Sequence, residues 1–232
     1  MIRYLLAPVH PPFARALNLP RTASLQSAAG APVARWPPAS PTAVAITFDD
    51  GPHPEGTPAM LEILARHDAR ATFFVIGEQV VRRPELLRRM LAQGHAVALH
   101  GYHHRLHLRR SEAELREDFT RGIAAIEDAC GATPSLHRPP YGIYSPASLR
   151  IVGELGLAPL LWATWGKDWR KFTTPERIAR RALRGLAGAD VMLLHDADFY
   201  SAKRSHERTA AALDLVLESM KSAGLGTFLA GS

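Results

Sequence analysis

From Val44 onward the chain alternates short apolar or β-branched runs with segments whose apolar residues recur at helical spacing. Residues 44–48 predict a strand. Thr57-Pro58 predicts a helix start, with Thr57 as N-cap and Pro58 in the first turn, running to about Ala65. A strand over 71–76 follows. The next helix has Pro84 near its start and Gly94 at its C′ position. A third strand is expected over 95–99. Ser111 and Glu114 form a capping box that opens a long helix, closed by Gly131. Residues 135–138 read as a short strand leading into Pro139-Pro140. Ser145-Pro146 opens another helix, ending near Gly156. Residues 158–164 predict the fifth strand, and Thr174-Pro175 opens the helix after it. Residues 191–195 predict the sixth strand. A helix over 206–223 ends at Gly224, and 226–229 predict the last strand.

Seven strands alternating with helices predict an α/β protein with a mostly parallel sheet. No glycine-rich phosphate fingerprint follows the first strand, which argues against a dinucleotide fold. A closed or nearly closed barrel fits the count. Residues 1–41 are rich in Pro and Ala without a sustained period and read as an N-terminal arm; 42–232 read as one domain.

Composition narrows the classes. The 232 residues are 47% hydrophobic, as in an ordinary globular protein. The net charge of +6 is compatible with a polyanionic partner. However, Arg82, Arg83, Arg88 and Arg89, like Arg180, Arg181 and Arg184, read as solvated helix faces. No basic run with interleaved aromatics supports nucleic-acid binding. Cys130 is the single cysteine, so no intramolecular disulfide forms, and a packing role is expected. No run reaches the roughly 18 apolar residues of a membrane span. The start of the chain is a poor secretory signal, its apolar stretch being broken by Pro8, Pro11 and Pro12. Localisation is left between the cytoplasm and association with the cell envelope.

The polar signals fall at strand ends. Asp49 and Asp50 close the first strand in TFDDGP. His100 follows the third, Arg138 ends the fourth, Asp168 follows the fifth and His195 ends the sixth. In a parallel barrel these carboxyl ends share one face, which hosts the site. Two adjacent carboxylates at the end of a buried strand are costly unless a cation or a proton transfer uses them.

The segment HGYHHRLH offers imidazoles that, with one carboxylate, make a two-His, one-Asp set for a divalent ion. His100 with His104, His100 with His103, or His103 with His107 are the open pairings. Neighbouring strand side chains point to opposite sides, so Asp49 and Asp50 are expected to play different parts. One binds the metal; the other acts as general base towards water that the metal acidifies. Arg138 beside that base keeps it ionised and oriented. The stiff Pro139-Pro140 pair holds backbone N–H groups such as that of Tyr141 towards a developing oxyanion. His195, backed by Asp168 or Asp196, can donate a proton to a leaving amine. Trp169 and Leu193 supply apolar walls, while Trp162 reads as core. Together these parts describe amide hydrolysis, or less often ester hydrolysis.

In order along the chain, TFDDGP, the H-x-x-x-H of His100 and His104, RPPYG, a late DW and LLHD resemble the polysaccharide deacetylase family, the NodB-homology domain of carbohydrate esterase family 4. The resemblance spans about residues 42–229. It implies a distorted (β/α)7 barrel. It further implies Asp49 as catalytic base, with Asp50, His100 and His104 as ligands of a divalent metal, usually Zn2+. By the same resemblance Arg138 tethers the base, Tyr141 is the backbone oxyanion donor and Asp168 backs the acid His195. Pro139, Trp169 and Leu193 would line the substrate pocket. An N-acetylated sugar, polymeric or lipid-linked, is the implied substrate. Three features depart from the family pattern. Gly101 stands where a Ser or Thr is usual, His103 adds a spare imidazole, and Ala163 and Trp165 stand where acidic residues often occur. The alternatives are another amide substrate, such as a formamide or acetylated polyamine, and an inactive carbohydrate-binding domain. The sequence is silent on oligomeric state.

Overall fold

The computed structural model describes residues 5–6 and 42–230. The arm predicted over 1–41 lies outside the described residues, apart from the two-residue strand β1 (Leu5–Leu6). The elements then run β2 (Ala43–Asp49), α1 (Gly56–Arg66), β3 (Ala71–Val75), α2 (Gly77–Arg82), α3 (Pro84–Ala92), β4 (Ala96–Leu99) and α4 (Glu112–Cys130). They continue with β5 (Leu136–His137), β6 (Ile143–Tyr144), α5 (Pro146–Glu154), β7 (Ala158–Pro159) and β8 (Thr164–Trp165). The last are α6 (Pro175–Ala182), β9 (Val191–His195), α7 (Ser205–Ser222) and β10 (Gly226–Thr227).

The main sheet has the order β7-β5-β4-β3-β2-β9-β8, every neighbouring pair parallel. β10 pairs with the start of β2, at Ala43 and Val44, ahead of the stretch that pairs with β3. β1 and β6 form a separate antiparallel pair. All seven residues of β2 and all five of β3 are buried. Strands covered on both faces read as continuous apolar runs, which is why they were legible. Register sets the site: Asp49 is level with His195 across β2 and β9, and Leu99 with His137 across β4 and β5. His100 and Arg138 are therefore the next residues out on their two strands.

Helix signals served well where side chains are free to cap. Ser111 accepts from the Glu114 N–H, Glu114 reaches back to the Ser111 N–H, and Gly131 is left-handed at φ 70°. Ser145 and Thr174 cap α5 and α6 in the same way. Thr57 does not cap α1. Its hydroxyl is taken by the His53 N–H and the Asp196 carboxylate, and the helix begins two residues earlier, with Glu55 as N-cap. The capping acceptor is instead His53 Nδ1, which receives the N–H groups of Glu55 (3.2 Å) and Gly56 (2.9 Å). Ahead of α3, the segment after β3 adds a short helix, α2, that the sequence pattern did not separate.

The strand expected over 158–164 is two strands. β7 pairs with β5, β8 pairs with β9, and the buried residues Leu160, Leu161 and Trp162 between them cross from one edge of the sheet to the other. The crossing leaves strand pairing behind, so its carbonyls need other donors. Arg138 supplies them: Nε donates to Leu160 O (3.1 Å) and Nη2 to Leu161 O (3.3 Å). Arg138 is fully buried, lies over the Phe74 ring at 3.9 Å, and also donates from Nη1 to Thr47 Oγ1 (2.9 Å) and Asp49 Oδ1 (2.7 Å). Cys130 is half-buried at the end of α4, its thiol on Ile126 O. Among the described residues no helix is long and apolar enough to cross a membrane.

Removing one partner of a buried ion pair leaves the other charge uncompensated, at about 3–5 kcal/mol. Arg138→Met therefore lowers unfolding free energy by about that amount in urea titration. A loss under about 1 kcal/mol, as for an exposed pair, would contradict the role given to this guanidinium.

Candidate active site

A cleft of ≈ 260 Å³ opens at the carboxyl ends of the strands. Asp49, Asp50, His100, His104, Leu193 and His195 line it, with Tyr141, Trp165, Trp169 and Tyr200 around the rim. Trp162 is both a core residue at 5% exposure and part of this wall. Pro139 is buried behind Tyr141 and is not among the lining residues.

The two aspartates do not alternate. β2 ends at Asp49, and Asp50 takes a left-handed backbone with φ 82°. Both carboxylates consequently face His100 Nε2, Asp49 Oδ2 at 3.7 Å and Asp50 Oδ1 at 3.5 Å. A positive φ on a non-glycine residue costs energy and persists only where surroundings impose it. Here the neighbour Gly51 permits the turn: a Cβ there would collide with the Asp196 carboxylate. Tyr141 is the second strained residue on the cleft, at φ 62°.

On one side, Asp50, His100 and His104 offer ligand atoms that all lie within 4.8 Å of one another. Asp50 Oδ1 is 3.4 Å from His104 Nε2, and it is buried with no hydrogen-bond partner. His100 Nδ1–H donates to Arg138 O (2.8 Å), which leaves the Nε2 lone pair facing the carboxylates. Burial pushes Asp50 up, but the His100 contact and the charges of His195 and His104 outweigh it, holding the carboxyl at about 2. Burial brings His104 down to about 4, so its ring is neutral at pH 7. An ionised carboxylate with an orphaned buried oxygen, beside the neutral imidazole of His104 and the Nε2 of His100, is a donor set that fits a divalent cation.

The loop carrying these histidines brings His100 and His104, rather than His103 or His107, beside Asp50. His103 turns away to Glu78 (3.8 Å), and His107 is buried against Phe119 and His137. The absent Ser or Thr at 101 is compensated from α4: Asp118 accepts the N–H groups of Tyr102 (2.8 Å) and His103 (3.1 Å). Gly101, at φ 99°, has Asp118 Oδ2 only 3.0 Å from where a Cβ would sit. Asp118 was missed in the sequence because it reads as one more solvent-facing acid of a long helix. Tyr200 was missed as well. It stacks on His104 at 4.2 Å and donates to Glu78. An aromatic pair, Phe199-Tyr200, in an otherwise polar loop was the available signal.

On the other side stands His195. Its Nδ1 lies 2.9 Å from Asp168 Oδ1, and its N–H donates to Asp168 Oδ2 (2.7 Å). Thr209 adds a third hydrogen bond to that fully buried carboxylate. Burial alone would lower the imidazole, but Asp168, then Asp50 and Asp49, raise it to about 10. Trp169 sits edge-on to the ring at 5.4 Å. Asp196, the other expected backing group, points away to Thr57, and burial raises it to about 7. The cleft thus sets a fixed carboxylate oxygen on one wall against an imidazolium on the other.

A model of the polysaccharide deacetylase family matches residues 37–160, just over half of the chain. The chain belongs to the polysaccharide deacetylase family. It is 36% identical over 188 residues to a chitooligosaccharide deacetylase of Bradyrhizobium sp. (strain ANU 289), covering 78% of this chain and 85% of that protein. It is 34% identical over 181 residues to the peptidoglycan-N-acetylglucosamine deacetylase PgdA of Listeria monocytogenes serotype 1/2a (strain 10403S). That alignment takes in 78% of this chain but spans only 36% of PgdA. Among solved structures it is similar to the family 4 carbohydrate esterase from Streptomyces lividans in complex with acetate. There the TM-score is 0.73 at 29% identity, over 81% of this chain and 92% of that one. The curled parallel sheet with its outer helices is the distorted (β/α)7 fold of the family.

Asp168→Asn removes the charge that holds His195 up, so its apparent pKa falls from about 10 towards the ordinary 6.5. NMR titration of the imidazole checks this. In the wild type, a raised histidine contributes stability that is complete below 6.5 and lost as the pH rises through about 10. The variant loses that alkaline dependence.

Proposed function

We propose that this chain is a metal-dependent hydrolase that removes N-acetyl groups from N-acetylated sugars of a polymer, of the peptidoglycan or chitooligosaccharide kind, with Zn2+ as the ion. The observation that carries the reading is the convergence of Asp49 and Asp50 on one cleft edge, with Asp49 tied to Arg138 and His195–Asp168 opposite. The names of the relatives supply the substrate class. The aromatic rim of Tyr141, Trp165, Trp169 and Tyr200 suits the apolar faces of pyranose rings better than a small linear amine.

Asp50, His100 and His104 would hold the cation, which supplies a Lewis acid beside the water and the amide carbonyl. Asp49 is the general base. Arg138 occupies its Oδ1 and leaves Oδ2 towards the cleft, where it accepts a proton from the attacking water. The backbone N–H of Tyr141, aimed by its left-handed φ, receives the charge that develops on the carbonyl oxygen. His195, held cationic by Asp168, donates a proton to the departing sugar amine. Leu193 and Trp169 form the apolar wall for the acetyl methyl. An inactive carbohydrate-binding domain would have no use for an imidazolium on the cleft backed by three-fold hydrogen-bonded Asp168.

Acetate release from a panel of N-acetylated chitooligosaccharides, peptidoglycan, a formamide and an acetylated polyamine tests this. Turnover is expected on the sugars and abolished by chelator. Asp49→Ala should lose about 10²–10⁴-fold in turnover while retaining the ion; His100→Ala should lose the ion itself. Full turnover in Asp49→Ala would end the assignment, and turnover confined to the polyamine would move the substrate class.

A further inference from the structure

We propose a second divalent-cation site, separate from Asp50, His100 and His104, made by Glu55, His206 and Glu207. Glu55 is the N-cap of α1, and His206 and Glu207 lie in the first turn of α7. Their ligand atoms all lie within 4.8 Å of one another. His206 decides the matter. It is only 5% exposed, yet neither ring nitrogen has a hydrogen-bond partner, an unusual cost for a buried polar group unless something else fills the position. Its Nε2 faces Glu55 at 3.7 Å. Its Nδ1 faces Asp198 Oδ2 at 3.6 Å. An imidazole with a carboxylate behind one nitrogen and open ligands before the other is the usual arrangement of a metal-bound histidine.

Asp198 is itself fixed. Its Oδ1 is 3.2 Å from His53 Nε2, and its Oδ2 accepts the Arg204 N–H at 2.6 Å. His53 stands near enough to look like a ligand, in a trio with Asp198 and His206. Its tautomer argues otherwise. Nδ1 already accepts two backbone N–H groups at the start of α1, so in the neutral ring Nε2 carries the proton and has no lone pair for an ion. His53 therefore sits beside Asp198, Asp198 lies behind His206 Nδ1, and the His206 ring is left beside the carboxylates of Glu55 and Glu207. The two carboxylates balance a divalent charge. One oxygen of Glu207 pairs with Arg204 (2.6 Å), leaving the other for the ion, and the exposure of Glu55 gives a route from solvent. One nitrogen and two carboxylates suit Zn2+. The ion would pin the loop that runs from Asp196 to Arg204, which carries Tyr200 onto His104.

The test counts bound Zn2+ on the chelator-stripped, reloaded full chain, with circular dichroism to verify folding. Wild type should hold two ions. Glu55→Gln combined with Glu207→Gln should hold one, as should His206→Ala. His100→Ala combined with His104→Ala should also keep one, which His206→Ala then removes. Retention of two ions by the Glu55/Glu207 variant overturns the proposal, as does an empty His100/His104 variant. Failure of the Asp50 trio alone gives a different result: wild type with one ion, lost on changing Glu55 and Glu207.

Discussion

A guanidinium with no access to water organises this molecule. Arg138 would be prohibitively costly where it lies if its charge and donors were not used. Four hydrogen bonds use them, in two directions. Towards the sheet edge, Nε and Nη2 hold the carbonyls of Leu160 and Leu161, where the chain leaves strand pairing to cross between β7 and β8. Towards the centre, Nη1 holds Thr47 and Asp49 on β2. Its own carbonyl receives His100 Nδ1. One residue thus joins the closing segment, the central strand and the histidine loop. The geometry around Asp49 is inseparable from the closure of the fold, and a substitution here acts on stability and chemistry together.

The second constraint is the break in strand alternation after Asp49. Had β2 continued, Asp50 would point to the opposite face of the sheet. The left-handed turn at Asp50 brings the adjacent carboxylates to the same imidazole at 3.7 and 3.5 Å. Like charges that close repel, and the surroundings answer asymmetrically. Asp49 has a permanent cation on one oxygen, while Asp50 has an oxygen that nothing among the described residues satisfies. The two carboxylates thus stand in different environments, as the proposed division into base and ligand requires.

Much of this was legible from the residues. Strands buried on both faces announce themselves as apolar runs, and the capping residues of α4, α5 and α6 do so because their hydroxyls have nothing else to bond. The failures share a cause: a side chain or segment with a long-range partner. Thr57 was read as a cap, but Asp196, 139 residues away, claims its hydroxyl. Residues 158–164 were read as one strand because a crossing stabilised by Arg138 has the same apolar composition as a strand. Asp118 and Thr47 looked like a surface acid and an indifferent strand position until the loop and the guanidinium they serve were in place. Motifs mark what performs chemistry; they say little about what holds it still.

The histidines show how far a neighbour decides a role. In three of them Nδ1 is already committed, and each commitment has a different consequence. His100 Nδ1 faces a carbonyl oxygen, so it carries a proton and Nε2 is turned towards Asp49 and Asp50. His195 Nδ1 faces a buried carboxylate, which favours the doubly protonated ring and makes Nε2 a donor. His53 Nδ1 faces the N–H groups of a helix start, so it must accept, and in the neutral ring Nε2 carries the proton beside Asp198. The proposed ligand, the proposed acid and the structural brace are the same side chain with a carbonyl, a carboxylate or an amide behind it. His206 belongs to this series. Neither of its ring nitrogens has a hydrogen-bond partner among the described residues, so no neighbour fixes it as donor or acceptor, and the proposed ligation rests on that open state.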